Sequence, residues 1–212
     1  MDESYYAQFL TRQASGRKEE ARTAIRQFVG SFNDLEEKED WTRKFLSTLK
    51  PGTVMRHELY EEVILPVLVA GYANHDPWSL YWLAETSQNL FKARHLFERI
   101  GSPAPQERLK KAYALAPSSD EIRRGLLRDL LRGFEYMSHE WPSGLLYNPE
   151  MPWQTQYWEL LADIRLARGL DATGTHADAI AEFDNSTSVA MVRQRIATVQ
   201  CCACSPLPPR PS

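Results

Sequence analysis

Hydrophobic positions recur at intervals of three and four residues almost from end to end of this chain, while the alternating Val-, Ile- and Thr-rich runs of strands are nearly absent. This spacing predicts an all-α fold of about eight or nine helices, arranged as an irregular multi-helix bundle or as a short array of helix pairs. After Gly16, Ala21, Ile25, Phe28 and Val29 mark one helix. Leu35, Trp41, Phe45 and Leu49 mark the next, with Asn33 or Asp34 as its cap and "KPG" as its stop. Thr53 is then expected to cap a helix whose stripe is Met55, Leu59, Val63 and Val67. Beyond Glu62 that helix is apolar on every side, which places it deep in the core. Pro66 lies inside it, removes a hydrogen bond and crowds the carbonyl four residues back, so a kink is expected near Glu62 to Pro66.

The stretch "NHDPWSLYWLAETSQNLFKARHLFERIG" reads as a single long helix, capped by Asp76, opened by Pro77 and ended by Gly101, with Leu80, Leu83, Leu90 and Phe91 as its stripe. Pro103 and Pro105 open a short helix, and Ser118 with Glu121 forms a capping box for a longer one with Ile122, Leu126, Leu130 and Phe134 inward. Regular structure thins out between Met137 and Pro152, where Trp141, Leu145, Leu146 and Tyr147 predict a loop folded back on the core. A helix over Trp153 to Arg168 follows, then two weaker ones around Ala177 to Phe183 and Ser188 to Val199. Residues 1–199 are thus expected to form one helical domain, with a sub-boundary in the 137–152 loop. The Cys- and Pro-rich end, 200–212, is expected to be a disordered tail.

Composition narrows the function classes. At 212 residues the chain can bury a substantial core, and a net charge of -3 argues against a strongly basic nucleic-acid binder. The longest apolar run, Val63 to Ala73, is too short to span a bilayer, and the acidic start "MDESYYAQFL" does not read as a secretory signal. The cysteines, Cys201, Cys202 and Cys204, leave the preceding 200 residues without an internal disulfide. A cytoplasmic protein is the expectation.

Two segments invite comparison with each other. "GYANHDPWSLYWLAE" and "AYALAPSSDEIRRGL" both pass from a small-residue helix end through a proline turn into a capped helix, and Leu80 and Ile122 are their first core positions. Gly71, Asp76, Leu80, Leu83 and Ala84 in the first resemble the helix junction of Sel1-like repeats. Ala112, Ala114, Pro117 and Ile122 in the second resemble that of tetratricopeptide repeats. The resemblance covers about 70 residues, with a spacing longer than a tetratricopeptide unit and Gly125 where Leu83 stands in the other copy. It implies a protein-binding scaffold.

Candidate chemistry is sparse. "HELYE" presents His57, Glu58 and Glu61 on neighbouring positions of one helix face, one letter short of a zinc-protease helix. His75, His95 and His139 are the conceivable remote ligands of a metal-dependent enzyme there. Arg124, Arg128 and Arg132 recur every four residues and could face nucleic acid, although Asp120, Glu121 and Asp129 interleave with them. Trp78, Tyr81, Trp82, Glu85 and Asn89 combine aromatic anchors with polar neighbours, the composition of an interface centre. No phosphate loop, nucleophile elbow or cofactor motif is present. The leading expectation is an interaction module that binds another protein through this aromatic-rich surface, in the narrower version as an inhibitor or immunity-type protein.

Overall fold

The computed structural model describes residues 1–50, 52–90, 100, 101, 104–140 and 152–203, and among these every regular element is helical. The elements are α1 (Glu3–Ala14), α2 (Lys18–Val29), α3 (Leu35–Ser47), α4 (His57–Leu59), a π-helical turn (Tyr60–Ile64), α5 (Leu65–Ala73), α6 (Pro77–Glu85), α7 (Ser87–Leu90), α8 (Pro105–Leu115), α9 (Asp120–Glu140), α10 (Trp153–Leu170) and α11 (Ala177–Ala203). The chain divides into two units, Met1–Gly125 and Leu126–Ser212, and the division falls within α9. Among the described residues no helix is long and apolar enough to cross a membrane.

In the first unit α1 and α2 form a hairpin, α3 packs on the π turn and α5, and α6 lies between α5 and α8. The α1–α3 core is aromatic: Trp41 stacks on Phe45 at 4.6 Å, and Phe28 lies 5.1 Å from Trp41 and from Phe32. Asp34 caps α3 by accepting from the Glu37 amide at 2.8 Å, and Glu37 reaches back to the Asn33 amide at 2.9 Å, a reciprocal cap that fixes the entry of the chain. Leu35 departs from its predicted inward stripe and is exposed; Leu46 is the buried residue instead.

The central helix explains itself through Pro66. The irregularity expected there takes the form of the π turn Tyr60–Ile64, which ends immediately before Leu65 and Pro66. Pro66 has no N–H to offer the carbonyl of Glu62, and that oxygen accepts instead from Lys38 Nζ at 2.9 Å. Met55, Leu59, Val63 and Val67 are all buried as the spacing predicts, with Ile64, Leu65 and Leu68 beside them. Thr53 does not cap this helix. Its hydroxyl donates to the Lys50 carbonyl, and the helix starts at His57 with no side-chain cap.

Asp76 and Pro77 open α6 as expected, the Asp76 carboxylate accepting from the Ser79 amide and hydroxyl at 3.1 and 2.6 Å. The long single helix does not form: α6 stops at Glu85, and Thr86 turns the chain into the short α7. The Thr86 hydroxyl donates to the Trp82 carbonyl at 2.6 Å, a bond to the fourth residue back that competes with helix propagation. Phe91 and His95 lie outside the described residues. Gly71 lets α5 approach α6 closely, because a Cβ there would stand 1.9 Å from Ser79 Oγ. Gly125 gives Tyr81 the same kind of room, with a built Cβ 2.6 Å from the ring. The α9 cap is the hydroxyl of Ser119, which accepts from the Ile122 amide at 3.4 Å, rather than Ser118.

In the second unit Phe134 stacks on Phe183 at 4.2 Å, and Ile164, Ala167, Leu170 and Ile180 are buried around α10 and α11. Arg168 pairs with Asp184 at 2.6 Å across the same helix pair. The two weak helices predicted over 177–199 are one, continuous to Ala203, since no glycine or proline interrupts that span. The 141–151 part of the predicted loop and residues 204–212 lie outside the described residues.

Candidate functional site

The five residues of the expected aromatic surface separate in the structure. Tyr81, Trp82 and Asn89 are core, at 2, 3 and 5% exposure, so they are unavailable to a partner in this fold. Asn89 Oδ1 accepts from the Met55 amide at 3.2 Å and so ties α7 to the chain entering α4. Trp78 and Glu85 are half-buried. The Trp78 ring is covered by the guanidinium of Arg43, 4.3 Å from its centroid, and Arg43 is itself held by Glu39 at 2.8 Å and Asp76 at 3.4 Å. The physical reason is that α6 packs against α5 on one side and α8 on another, so the stripe offset from Leu80 and Leu83 is buried as well.

The face that carries His57 is polar, and its side chains pair with one another. His57 Nε2 meets Glu61 Oε2 at 2.6 Å, one helical turn on, while Glu58 pairs with Arg56 at 3.0 Å. Burial alone would raise the Glu58 carboxyl, but its own backbone amide and Arg56, with Arg22 adding at longer range, hold it below the usual carboxylate value. His75 sits in the α5–α6 turn at φ 56°, and His139 is exposed near the end of α9. Among the described residues no three His, Cys, Asp or Glu side chains converge as a metal site would require. On α9, Arg124 pairs with Asp120 at 3.1 Å, Arg128 and Asp129 are both engaged, and Arg132 is exposed. Asp120 is held below its usual pKa first by its hydrogen bond to Arg123.

A cleft that helical periodicity does not reveal lies beside the His57–Glu61 pair. It has a cavity volume of about 780 Å³ and is walled by α1, α2 and the chain from Met55 to Glu58. Phe9, Ala21 and Met55 form its apolar floor, each buried. Lys18, Arg22 and Arg26, four residues apart on α2, give it an exposed cationic wall, and Arg56 adds a fourth cation. Glu19 and Glu58 are its carboxylates, so the lining is net positive in a net acidic chain. Among the described residues Lys18, Arg22 and Arg26 make no side-chain hydrogen bond or ion pair. The signal was legible as the same four-residue recurrence that drew attention to Arg124, Arg128 and Arg132. The difference is that Arg124 closes an ion pair with Asp120 on α9, whereas on α2 Glu19, three residues before Arg22, closes none with it.

Unlike these, Arg108 is a buried cation. Arg108 on α8 is 2% exposed, and both Nε and Nη2 lack a hydrogen-bond partner. Tyr60 and Tyr72 are near enough to act on its charge, and burial lowers its pKa. Tyr60, fully buried, bonds Thr86 Oγ1 at 3.0 Å. Because the Thr86 proton is committed to the Trp82 carbonyl, the Tyr60 hydroxyl is the donor of that bond. Burial pushes the Tyr60 phenol up to about 12.

This shift carries a sign. Folded Tyr60 holds its proton after the unfolded chain, near 10, has released its own, so its stabilising contribution is complete below pH 10 and is lost as pH rises towards 12. About 2 to 3 kcal/mol is at stake over that interval. In chemical denaturation between pH 9 and 12, Tyr60→Phe is expected to flatten the alkaline fall in stability; an unchanged slope would show that Tyr60 does not carry it.

No family model matches the chain, and no curated protein or solved structure matches it either.

Proposed function

We propose that this protein is a cytosolic protein-interaction module whose α1–α2 cleft receives an acidic segment of a partner protein carrying an apolar side chain. The observation that carries this reading is the α2 wall: three exposed cations on one helix face that make no side-chain hydrogen bond or ion pair among the described residues, outnumber the lining carboxylates Glu19 and Glu58, and stand over an apolar floor of Phe9, Ala21 and Met55. Like charges four residues apart repel one another, and an acidic segment relieves that repulsion while its apolar side chain fills the floor. The resemblance of two segments to Sel1-like and tetratricopeptide junctions, together with the α1–α2 hairpin and the packed α5 and α6, supports the same class of function. Of the aromatics named for the expected surface, Tyr81 and Trp82 then act as scaffold, and Trp78 is partly accessible.

The test is a fluorescence-anisotropy titration with acidic peptides that bear one Leu or Phe, against neutral and basic peptides of equal length and a single-stranded RNA. Acidic peptides are expected to bind, with affinity falling as salt is raised. Arg22→Glu and Arg26→Glu are each expected to weaken binding about tenfold, chiefly through slower encounter and like-charge repulsion. Equal binding of the basic peptides, preference for RNA, or indifference to both substitutions would overturn the proposal.

A further inference from the structure

Arg108 presents a problem of charge and a problem of geometry. A guanidinium cannot shed its proton to escape burial, so at 2% exposure it remains a cation almost wholly withdrawn from water. Among the described residues no carboxylate pairs with it, and the nearby phenols of Tyr60 and Tyr72 are the groups acting on it. Tyr60 donates a hydrogen bond to Thr86 Oγ1 while keeping its proton, so it stays neutral and supplies no counter-charge.

The geometry is more specific than the charge. The two unpartnered atoms, Nε and Nη2, lie on one edge of the guanidinium plane, the edge whose parallel N–H groups match two oxygens of a carboxylate or a phosphate. A trapped water could accept from both donors but would leave the charge unanswered, whereas an oxyanion answers both donors and the charge together. With Arg108 itself 2% exposed and Tyr60 fully buried, a polypeptide segment does not reach this edge, so the occupant is small.

We propose that Arg108 is the receptor of a small-oxyanion site beside Tyr60 and Tyr72, with its Nε–Nη2 edge gripping two oxygens of one ligand. The site is separate from the α1–α2 cleft, whose lining does not include Arg108. Its affinity class is that of inorganic phosphate or a small carboxylate, and the two are separated by titrating phosphate and acetate in parallel at constant ionic strength with chloride as the balancing anion.

Thermal unfolding of the full chain is the first readout. The preferred anion is expected to raise the midpoint of the wild type by about 5 °C when present at about a hundredfold excess over its dissociation constant. Arg108→Met, which keeps length and removes the charge, is expected to be no less stable than the wild type without the anion and to ignore it. Arg108→Lys keeps the charge without the fork and is expected to lose most of the response. Arg22→Glu, which alters only the open cleft, is expected to respond as the wild type does. The second readout needs no variant: the ¹H–¹⁵N signal of the Arg108 Nε group should move on addition of the anion. If neither phosphate nor acetate moves that signal or the wild-type midpoint beyond chloride, or if Arg22→Glu alone abolishes the response, Arg108 is not an anion receptor.

Discussion

Substituting Gly71 by alanine is expected to destabilise the fold by about 3 kcal/mol, although alanine is the better helix former by about 1 kcal/mol. Two effects compete, and the geometry decides between them. The new Cβ would stand 1.9 Å from Ser79 Oγ, 2.6 Å from Ser79 Cβ and 3.2 Å from Asp76 Oδ2. Rotating the serine hydroxyl away answers only the first contact, and Ser79 Cβ cannot move without α6. The hydroxyl also belongs to the α6 cap, so turning it away gives up its 2.6 Å bond to Asp76. Denaturant titration should show the loss in Gly71→Ala and recovery of about half of it in Gly71→Ala with Ser79→Gly, which removes both serine contacts. By contrast Gly133→Ala, in α9 with only Met137 Cε at 4.0 Å, is expected to stabilise by about 0.5 to 1 kcal/mol. A Gly71→Ala protein as stable as the parent would mean that α5 and α6 are not so close.

The paired tryptophans give the second large effect, and it separates scaffold from surface. Trp82→Ala is expected to cost about 3 to 5 kcal/mol, the loss for a buried indole that leaves a cavity. Trp78→Ala is expected to cost about 1 kcal/mol, since its ring is half-buried and its specific partner is the Arg43 guanidinium. Unfolding curves followed by circular dichroism give both values. The order of the two is the content of the prediction: a Trp82→Ala protein that unfolds with the parent while Trp78→Ala collapses would reverse the assignment of core and surface.

Much of the fold could be read from periodicity because single stripes meet single partners. Met55, Leu59, Val63 and Val67 are buried as their spacing requires, as are Ile122, Leu126, Leu130 and Phe134. Asp76 and Pro77 marked a helix start because cap chemistry is local. The site was harder to read, since a stripe says which face is apolar but not how many faces find a neighbour. Helix α6 is covered from two directions, so residues offset from its leucine stripe became core. Thr86 ended a helix without glycine or proline, through a side-chain bond and a buried contact with Tyr60 that no local pattern encodes. Arg108 follows the same logic in reverse. It precedes Ala112 by one turn and shares its inward face, yet a charged residue near a helix start reads as solvated.

The π turn of the central helix has a consequence for how this chain tolerates changes of length. Ordinary helix advances every side chain by about 100°, so losing one residue from Leu65–Ala73 would swing Gly71 off the crossing with Ser79. A π turn holds one residue more than an α turn in the same winding. Tyr60–Ile64 therefore carries a spare position, through which the helix could be shortened by one residue while the faces before and after it kept their relative phase. Slack in the backbone count and rigidity in the side-chain register coexist in one buried rod.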